Sequence, residues 1–298
     1  MNSKLEQFIA NSNSFRKNYQ LSKINWFQVG GIADWLFKPK DEQELQEFLQ
    51  LASNLEILVL GVGSNIIIRD GGYRGCVLKL GKAFASYRQI SATEIEVGAA
   101  NLDQNIAKFA AACNIAGLEF LSGIPGTIGG AIKMNAGAYG VEFKDVVKKI
   151  YAYDRKGVLH ELTAEKMNYS YRKSAPENEY IYIKAILEGV RGRQEEIQQK
   201  IQEIQASREA AQPIRAKTGG SSFKNPIGHK AWQLIAESGC RGLAIGDAVM
   251  SEKHCNFMIN KGSATAAQLE NLGNLVKEKV LAKTGVELVW EIQIIGEK

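Results

Sequence analysis

The apolar positions along the chain change period several times. Residues 41–54, DEQELQEFLQLASN, place Leu45, Phe48, Leu49 and Ala52 on one face, and Asp41 with Glu44 supplies an N-terminal cap, so a helix is predicted. LEILVL at 55–60 is short and apolar throughout, which predicts a buried strand. GVGSN then makes a turn, and IIIRD follows as a β-branched strand. Residues 93–98 alternate as a strand does, and 101–114 return to helical spacing through Ile106, Phe109, Ala110 and Cys113. From 146 to 190 the pattern is mostly strand: VVKKIYAYD and YIYIKAILEGV alternate, with turns at 155–157 and 175–178. A polar helix over 193–209 carries only the stripe Ile197, Ile201 and Ile204 and reads as a domain link. Helices are predicted near 229–238 and at 265–283, the latter with Thr265 and Gln268 as a capping box. VELVWEIQIIG closes the chain as a strand, with Val286, Leu288, Trp290, Ile292 and Ile294 on one face and Glu291 on the other, beside Val289 and Ile295. Strands and helices do not alternate regularly, so the fold class is α+β rather than a doubly wound parallel sheet.

A chain of 298 residues is expected to form two or three lobes. Its apolar fraction of 45% and charged fraction of 23% are those of a globular protein. No apolar run is long enough to span a membrane, and the first twenty residues lack the apolar region of a secretory leader. Cys76, Cys113, Cys240 and Cys255 form no CxxC pair, and the three histidines are widely spaced. The expectation is a reduced, cytoplasmic protein with structural thiols and no metal site. A net charge of +5 without a basic block argues against nucleic-acid binding and suits a small anionic ligand.

The chemistry concentrates in bare backbone. Residues 123–140, GIPGTIGGAIKMNAGAYG, hold six glycines and a single charge, Lys133. GVGSN follows a strand but is not completed as a dinucleotide fingerprint: Ile66 stands where the last glycine should be, and a β-branched run replaces the helix. No GxxxxGK[ST] loop is present either. Glycines without a Cβ let a ligand touch the main chain, and successive N–H groups can hold an anion without a helix. The alternative reading of each glycine is an ordinary turn or close packing.

GVGSNIII, GIPGTIGGAIKMNAGAYG, YSYRKS, GGSSFKNP and WEIQIIG occur in the order found in the UDP-N-acetylenolpyruvoylglucosamine reductases, and the resemblance runs from about Asn25 to the C-terminus. It implies a vanillyl-alcohol-oxidase-type FAD-binding fold of two subdomains over 23–191, with a boundary near 81, after an N-terminal segment 1–22. A C-terminal α+β substrate-binding domain would occupy 192–298, its last strand returning to the first subdomain. The length resembles the smaller type of the family, without an insertion. The implied activity is NADPH-dependent reduction of UDP-N-acetylglucosamine enolpyruvate to UDP-N-acetylmuramate through FAD, in peptidoglycan precursor synthesis. The implied partners are that substrate and NADPH, with no nucleic acid, no membrane and a monomeric chain. The competing readings are an FAD oxidase of the same fold acting on another small substrate, and a non-catalytic nucleotide-binding protein.

By resemblance the flavin is held by Gly61, Val62, Gly63, Ser64 and Asn65, and by Ile124, Pro125, Gly126, Thr127, Gly129, Gly130 and Ala131. Arg172 of YSYRKS falls at the family's arginine, whose guanidinium can hold a carboxylate through two parallel bonds. Ser221, directly after the glycines of GGSSFKNP, falls at the family's proton donor, ahead of its twin Ser222. Glu291 is implied to assist protonation or steady the enol. Tyr139, Lys224 and Asn225 match contacts to the UDP diphosphate or sugar, and Arg215 is a further phosphate candidate. Three positions depart from the family pattern: Gln293 and Gln28 stand where arginine is common, and Ser170 where glycine is.

Overall fold

The computed structural model describes residues 3–298. They fall into two compact units, each assembled from separate pieces of chain. The first holds the described residues through Arg16, Trp35–Gly61 and Cys76–Ser207; the second holds Lys17–Asp34, Val62–Gly75 and Arg208–Lys298.

The first unit is organised by a five-stranded antiparallel sheet in the order Leu159–Leu162, Val147–Asp154, Tyr180–Glu188, Glu94–Gly98, Tyr87–Gln89. The alternation read from the two long strands is real, and both faces are covered. Ile150, Ala152, Ala185 and Leu187 pack with Ile106, Ala110, Ile128 and Ile132 of the helices Asp103–Ala112 and Ile128–Met134. Tyr153, Ile181 and Ile183 pack instead with Leu45, Phe48 and Leu49 of the helix Glu42–Leu51. The Asp41 side chain accepts the Glu44 N–H at 2.8 Å, which is the cap expected from the sequence. The Gln194–Ala211 helix contributes Ile197 and Ile201 to the first unit's core, and the chain passes to the second unit only after Ser207.

Two local expectations need correction. Residues 55–60 do not form a buried strand: Ile57–Val59 is an edge strand and Val59 is exposed. Apolar composition fixed its β character, but an edge position leaves one side open. The second concerns 123–140, where a loop without a helix was expected. Ile128–Met134 is a seven-residue helix entered from Thr127, because Ile128, Ala131 and Ile132 form an apolar stripe that the sheet buries.

In the second unit, Ala244–Ile245, Ala248–Met250 and Met258–Asn260 form an antiparallel meander. Helix Ala266–Thr284 buries Leu269, Leu272, Val276 and Val280 with Met250 and Met258. Its capping box, Thr265 with Gln268, is present, and the Asp70 carboxylate accepts the Ala266 and Ala267 N–H groups at 3.0 and 2.9 Å. Trp290 lies on Gly273, where any Cβ would stand 1.9 Å from the indole ring.

The closing segment is extended but is a strand only over Gln293–Ile295, which pairs in parallel with Ile66–Ile68. Upstream it bonds to a different partner: Lys224 N–H donates to Val289 O and Glu291 N–H to Ser222 O. Two short partners in succession break the ladder, while the side-chain alternation survives, with Leu288 and Ile292 buried and Val289 exposed.

Candidate active site

In the first unit the two glycine-rich segments touch. A Cβ on Gly61 would stand 2.6 Å from Thr127 Oγ1, so glycine is required for the Thr127 hydroxyl to lie against this backbone. The Lys79 ammonium donates to the Gly61 carbonyl. Burial lowers the pKa of Lys79, and the charge of Lys38 lowers it further. Ile124, Pro125 and Gly126 are half-buried and Gly130 is exposed; the Ile124 N–H donates to Leu121 O at 3.1 Å and Pro125 has no N–H, so of these four it is the Gly126 and Gly130 N–H groups that are open to a ligand. The N–H groups of Ile128 and Gly129 are not: they donate to Asn101 O and Ala99 O at 3.0 and 2.9 Å. Close packing accounts for several of the glycines, since Gly126 lies against Asp103, Gly129 against Ala99 and Gly123 against Tyr139. Bare accessible backbone, a hydroxyl and a half-buried ammonium at one junction form a donor set that fits the diphosphate of FAD.

Asp103 stands directly behind this segment. It is fully buried, neither carboxyl oxygen has a hydrogen-bond partner among the described residues, and burial raises its pKa well above the usual carboxylate range. No sequence signal marked it, because Asp at the first turn of a helix is ordinarily an exposed cap.

Arg172 and Tyr139 also belong to the first unit. Ser170 and Lys173 exchange two backbone hydrogen bonds, and the turn between them holds Arg172 at φ +55°. The Arg172 Nη2 donates to Gly137 O at 2.8 Å, Nη1 lies 3.8 Å from Glu142 Oε1, and the guanidinium carbon is 4.9 Å from the Tyr171 ring. Tyr139 is exposed at a hairpin tip, and its hydroxyl donates to Ile204 O at 3.1 Å.

The second unit gathers the rest of the first glycine-rich loop with Ser221 and Glu291. Gly63 has φ +68°, and a Cβ there would stand 2.6 Å from Asn25 Cα, so the turn admits only glycine. The Asn65 carboxamide donates to Glu291 O at 3.2 Å, and Asn65 O accepts the Gln293 N–H at 3.1 Å. Gly220, immediately before Ser221, faces the Ser64 carbonyl. Val62 joins Gly61 of the first unit to this loop.

The twin serines differ sharply in surroundings. Ser222 is fully buried; its Oγ accepts the Met258 N–H at 3.2 Å, its N–H donates to Asn256 O at 2.7 Å, and its carbonyl accepts the Glu291 N–H at 2.9 Å. Ser221 is half-exposed and forms a β-bridge with Phe257. Asn256, unmarked in the sequence reading, clamps this strand by accepting the Phe223 N–H and donating to Phe223 O. The signal available was a buried asparagine within the apolar run CNFMIN.

The remaining candidates are spread out. Lys224 is half-buried near Val289. The Asn225 carboxamide oxygen accepts the Ala231 N–H at 2.9 Å and so caps the helix Ala231–Glu237. Arg215 is an exposed side chain ion-paired with Glu209 at 3.1 Å.

Residues 33–163 match a family profile described as an FAD binding domain. Together with the Gly61–Thr127 junction, this defines an α+β flavoprotein with an FAD-binding domain. Residues 212–295 match the profile described as UDP-N-acetylenolpyruvoylglucosamine reductase, C-terminal domain. The chain is 50% identical over 282 residues to the UDP-N-acetylenolpyruvoylglucosamine reductase of Gluconobacter oxydans, covering 94% of this chain and 92% of that one. It is 49% identical to the Orientia tsutsugamushi reductase, covering 95% of each. A crystal structure of UDP-N-acetylenolpyruvylglucosamine reductase from Thermus caldophilus superposes with a TM-score of 0.83 at 32% identity, over 93% of this chain and 98% of that one. The chain belongs to the UDP-N-acetylenolpyruvoylglucosamine reductase family.

Proposed function

We propose that this protein reduces UDP-N-acetylglucosamine enolpyruvate to UDP-N-acetylmuramate with NADPH as hydride donor. The observation that carries this is the unbroken likeness to reductases of that name over 94% of the chain. A match over 212–295 to the reductases' own C-terminal domain disfavours an FAD oxidase with another substrate. Bound FAD supplies the relay, accepting a hydride from NADPH and delivering one to the enolpyruvyl double bond.

The chain's residues supply binding, charge and the proton. Backbone at 61–65 and 124–131, with Thr127 and Lys79, holds the FAD diphosphate. The enolpyruvyl carboxylate makes the distant alkene carbon the electrophilic one, so hydride enters there and negative charge develops on the carbon bearing the carboxylate. Arg172 holds that carboxylate and stabilises the developing enolate. Ser221 Oγ–H donates its proton to the same carbon, completing one hydride and one proton across the bond. Glu291, whose own N–H donates to the carbonyl of Ser222 next to Ser221, assists this transfer. Tyr139, Lys224, Asn225 and Arg215 are assigned to the UDP and sugar, with 192–298 as the substrate-binding part. The burial of Ser222 supports Ser221 as the donor. We place the reaction in the cytoplasm, in peptidoglycan precursor synthesis, with the enzyme a monomer.

The purified protein is expected to carry flavin absorbance and to oxidise NADPH only with the nucleotide-sugar substrate. A protein without flavin affinity, or one reoxidised by oxygen regardless of substrate, refutes the reading. Ser221→Ala is expected to keep flavin reduction by NADPH and to lose about 10²–10⁴-fold in reoxidation by substrate, measured by stopped-flow absorbance.

A further inference from the structure

Gly137 and Glu142, which both face the Arg172 guanidinium, are cross-strand neighbours. Gly137–Ala138 and Val141–Glu142 form a minimal hairpin whose register sets Glu142 opposite Gly137. Its two turn residues, Tyr139 at φ +55° and Gly140 at φ +84°, are both left-handed, as a tight two-residue turn requires. Gly137 offers its carbonyl to Nη2, and Glu142 aims Oε1 at Nη1. A Cβ on Gly137 would stand 2.7 Å from Val141 O across the hairpin and 3.1 Å from Nη1, so glycine is needed for the close backbone pairing and lets the guanidinium lie against it.

Glu142 is itself held on several sides. Its Oε2 accepts from Asn135 Nδ2 at 3.0 Å and pairs with Lys144 Nζ at 3.1 Å, while its N–H donates to Asp145 Oδ2 at 2.8 Å. Asn135 is fully buried, and its Nδ2 also donates at 3.1 Å to the carbonyl of Ser170, which opens the Arg172 turn. One carboxamide therefore ties the hairpin to the segment that carries the arginine. Such a frame exceeds what an incidental surface ion pair needs, since it fixes both ends of the contact.

We propose that the hairpin of residues 137–142 is a clamp that aims Arg172 at the substrate carboxylate, with Glu142 as a positioning residue. This rests on the role given to Arg172 above. The carboxylate opposes Nη1 and the carbonyl opposes Nη2, which fixes the plane of the guanidinium. The same hairpin carries Tyr139 at its tip, so carboxylate recognition and nucleotide-sugar contact share one rigid element.

The test is Glu142→Gln, which keeps size but removes the charge and turns one acceptor oxygen into a donor amide, made alone and on an Arg172→Ala background. Binding is read without turnover, from the perturbation of the oxidised flavin spectrum on titration. Glu142→Gln is expected to weaken binding of the enolpyruvyl substrate about tenfold. It is expected to leave binding of UDP-N-acetylglucosamine, which lacks the carboxylate, and flavin reduction by NADPH unchanged. On the Arg172→Ala background it should add nothing. If Arg172→Ala weakens substrate binding but Glu142→Gln does not, or if the two losses add, the clamp is wrong and the role of Arg172 stands. Normal substrate binding by Arg172→Ala removes both.

Discussion

Ser221 and Ser222 carry the same hydroxyl on neighbouring residues, and their surroundings separate them. Ser222 is bonded through Oγ and N–H to the 256–258 segment and through its carbonyl to Glu291. Ser222→Ala should therefore strand the Met258 N–H in the core and destabilise the fold by about 1–3 kcal/mol, with the proton-transfer step intact in the folded fraction. Thermal unfolding beside stopped-flow reoxidation separates this from Ser221→Ala. Asp103 acts in the opposite sense. Its folded pKa lies well above the ordinary 3.8, so ionisation opposes folding and stability is lost as pH rises through and beyond that value. Asp103→Asn is expected to stabilise the protein at pH 8 and to make little difference near pH 3, read from melting curves at both. At this scale the sequence could nominate Arg172, Ser221 and Glu291 because their motifs are local. It concealed Asp103, Asn256 and Glu142, whose roles come from neighbours distant in the chain.

The short elements show why pattern alone stops where it does. Helix Ala266–Thr284 was legible with its capping box, because cap and stripe are encoded within a few residues. Its second cap was not, since Asp70 arrives from 196 residues away. Asp70→Ala leaves two first-turn N–H groups without that partner and should cost about 1 kcal/mol, measured by denaturant unfolding. The glycines of 61–65 and 123–140 read as ligand backbone, but the structure gives them a mixed duty. Gly61 makes room for Thr127, Gly63 makes a left-handed turn against Asn25, and Gly126 and Gly129 seat the backbone on its own protein. Gly63→Ala combines positive φ with collision against backbone and should cost about 2–4 kcal/mol, with FAD retention falling in parallel. The final segment was assigned its correct inward face by alternation, while its change of partner at residue 292 left no local trace.

For the whole molecule, acid sensitivity follows from glutamates that folding draws downward. Burial pushes Glu44 up, but hydrogen bonds from the Lys40 N–H, Ser12 and Ser14 outweigh it; Glu270 is lowered chiefly by its bonds from Arg69. Both fall below the ordinary 4.5, so their contribution is complete above that pH and is lost as pH drops through the folded values. Glu270→Gln should flatten the acid limb of the stability profile without changing stability near pH 3. The α+β class was legible from strand and helix spacing, but the interleaving of the two units was not, because periodicity carries no information about which distant pieces meet. That interleaving dictates an order of events during synthesis. Residue Asn65 is tied to Glu291 across 226 positions, and Ile66–Ile68 pairs with Gln293–Ile295. A growing chain can complete the sheet of 87–188 soon after it emerges. The segment that follows the 61–65 loop stays without its partner strand until residues 293–295 have been made. A ribosome stalled before residue 293 therefore holds a chain in which Ile66–Ile68 lacks its parallel partner strand.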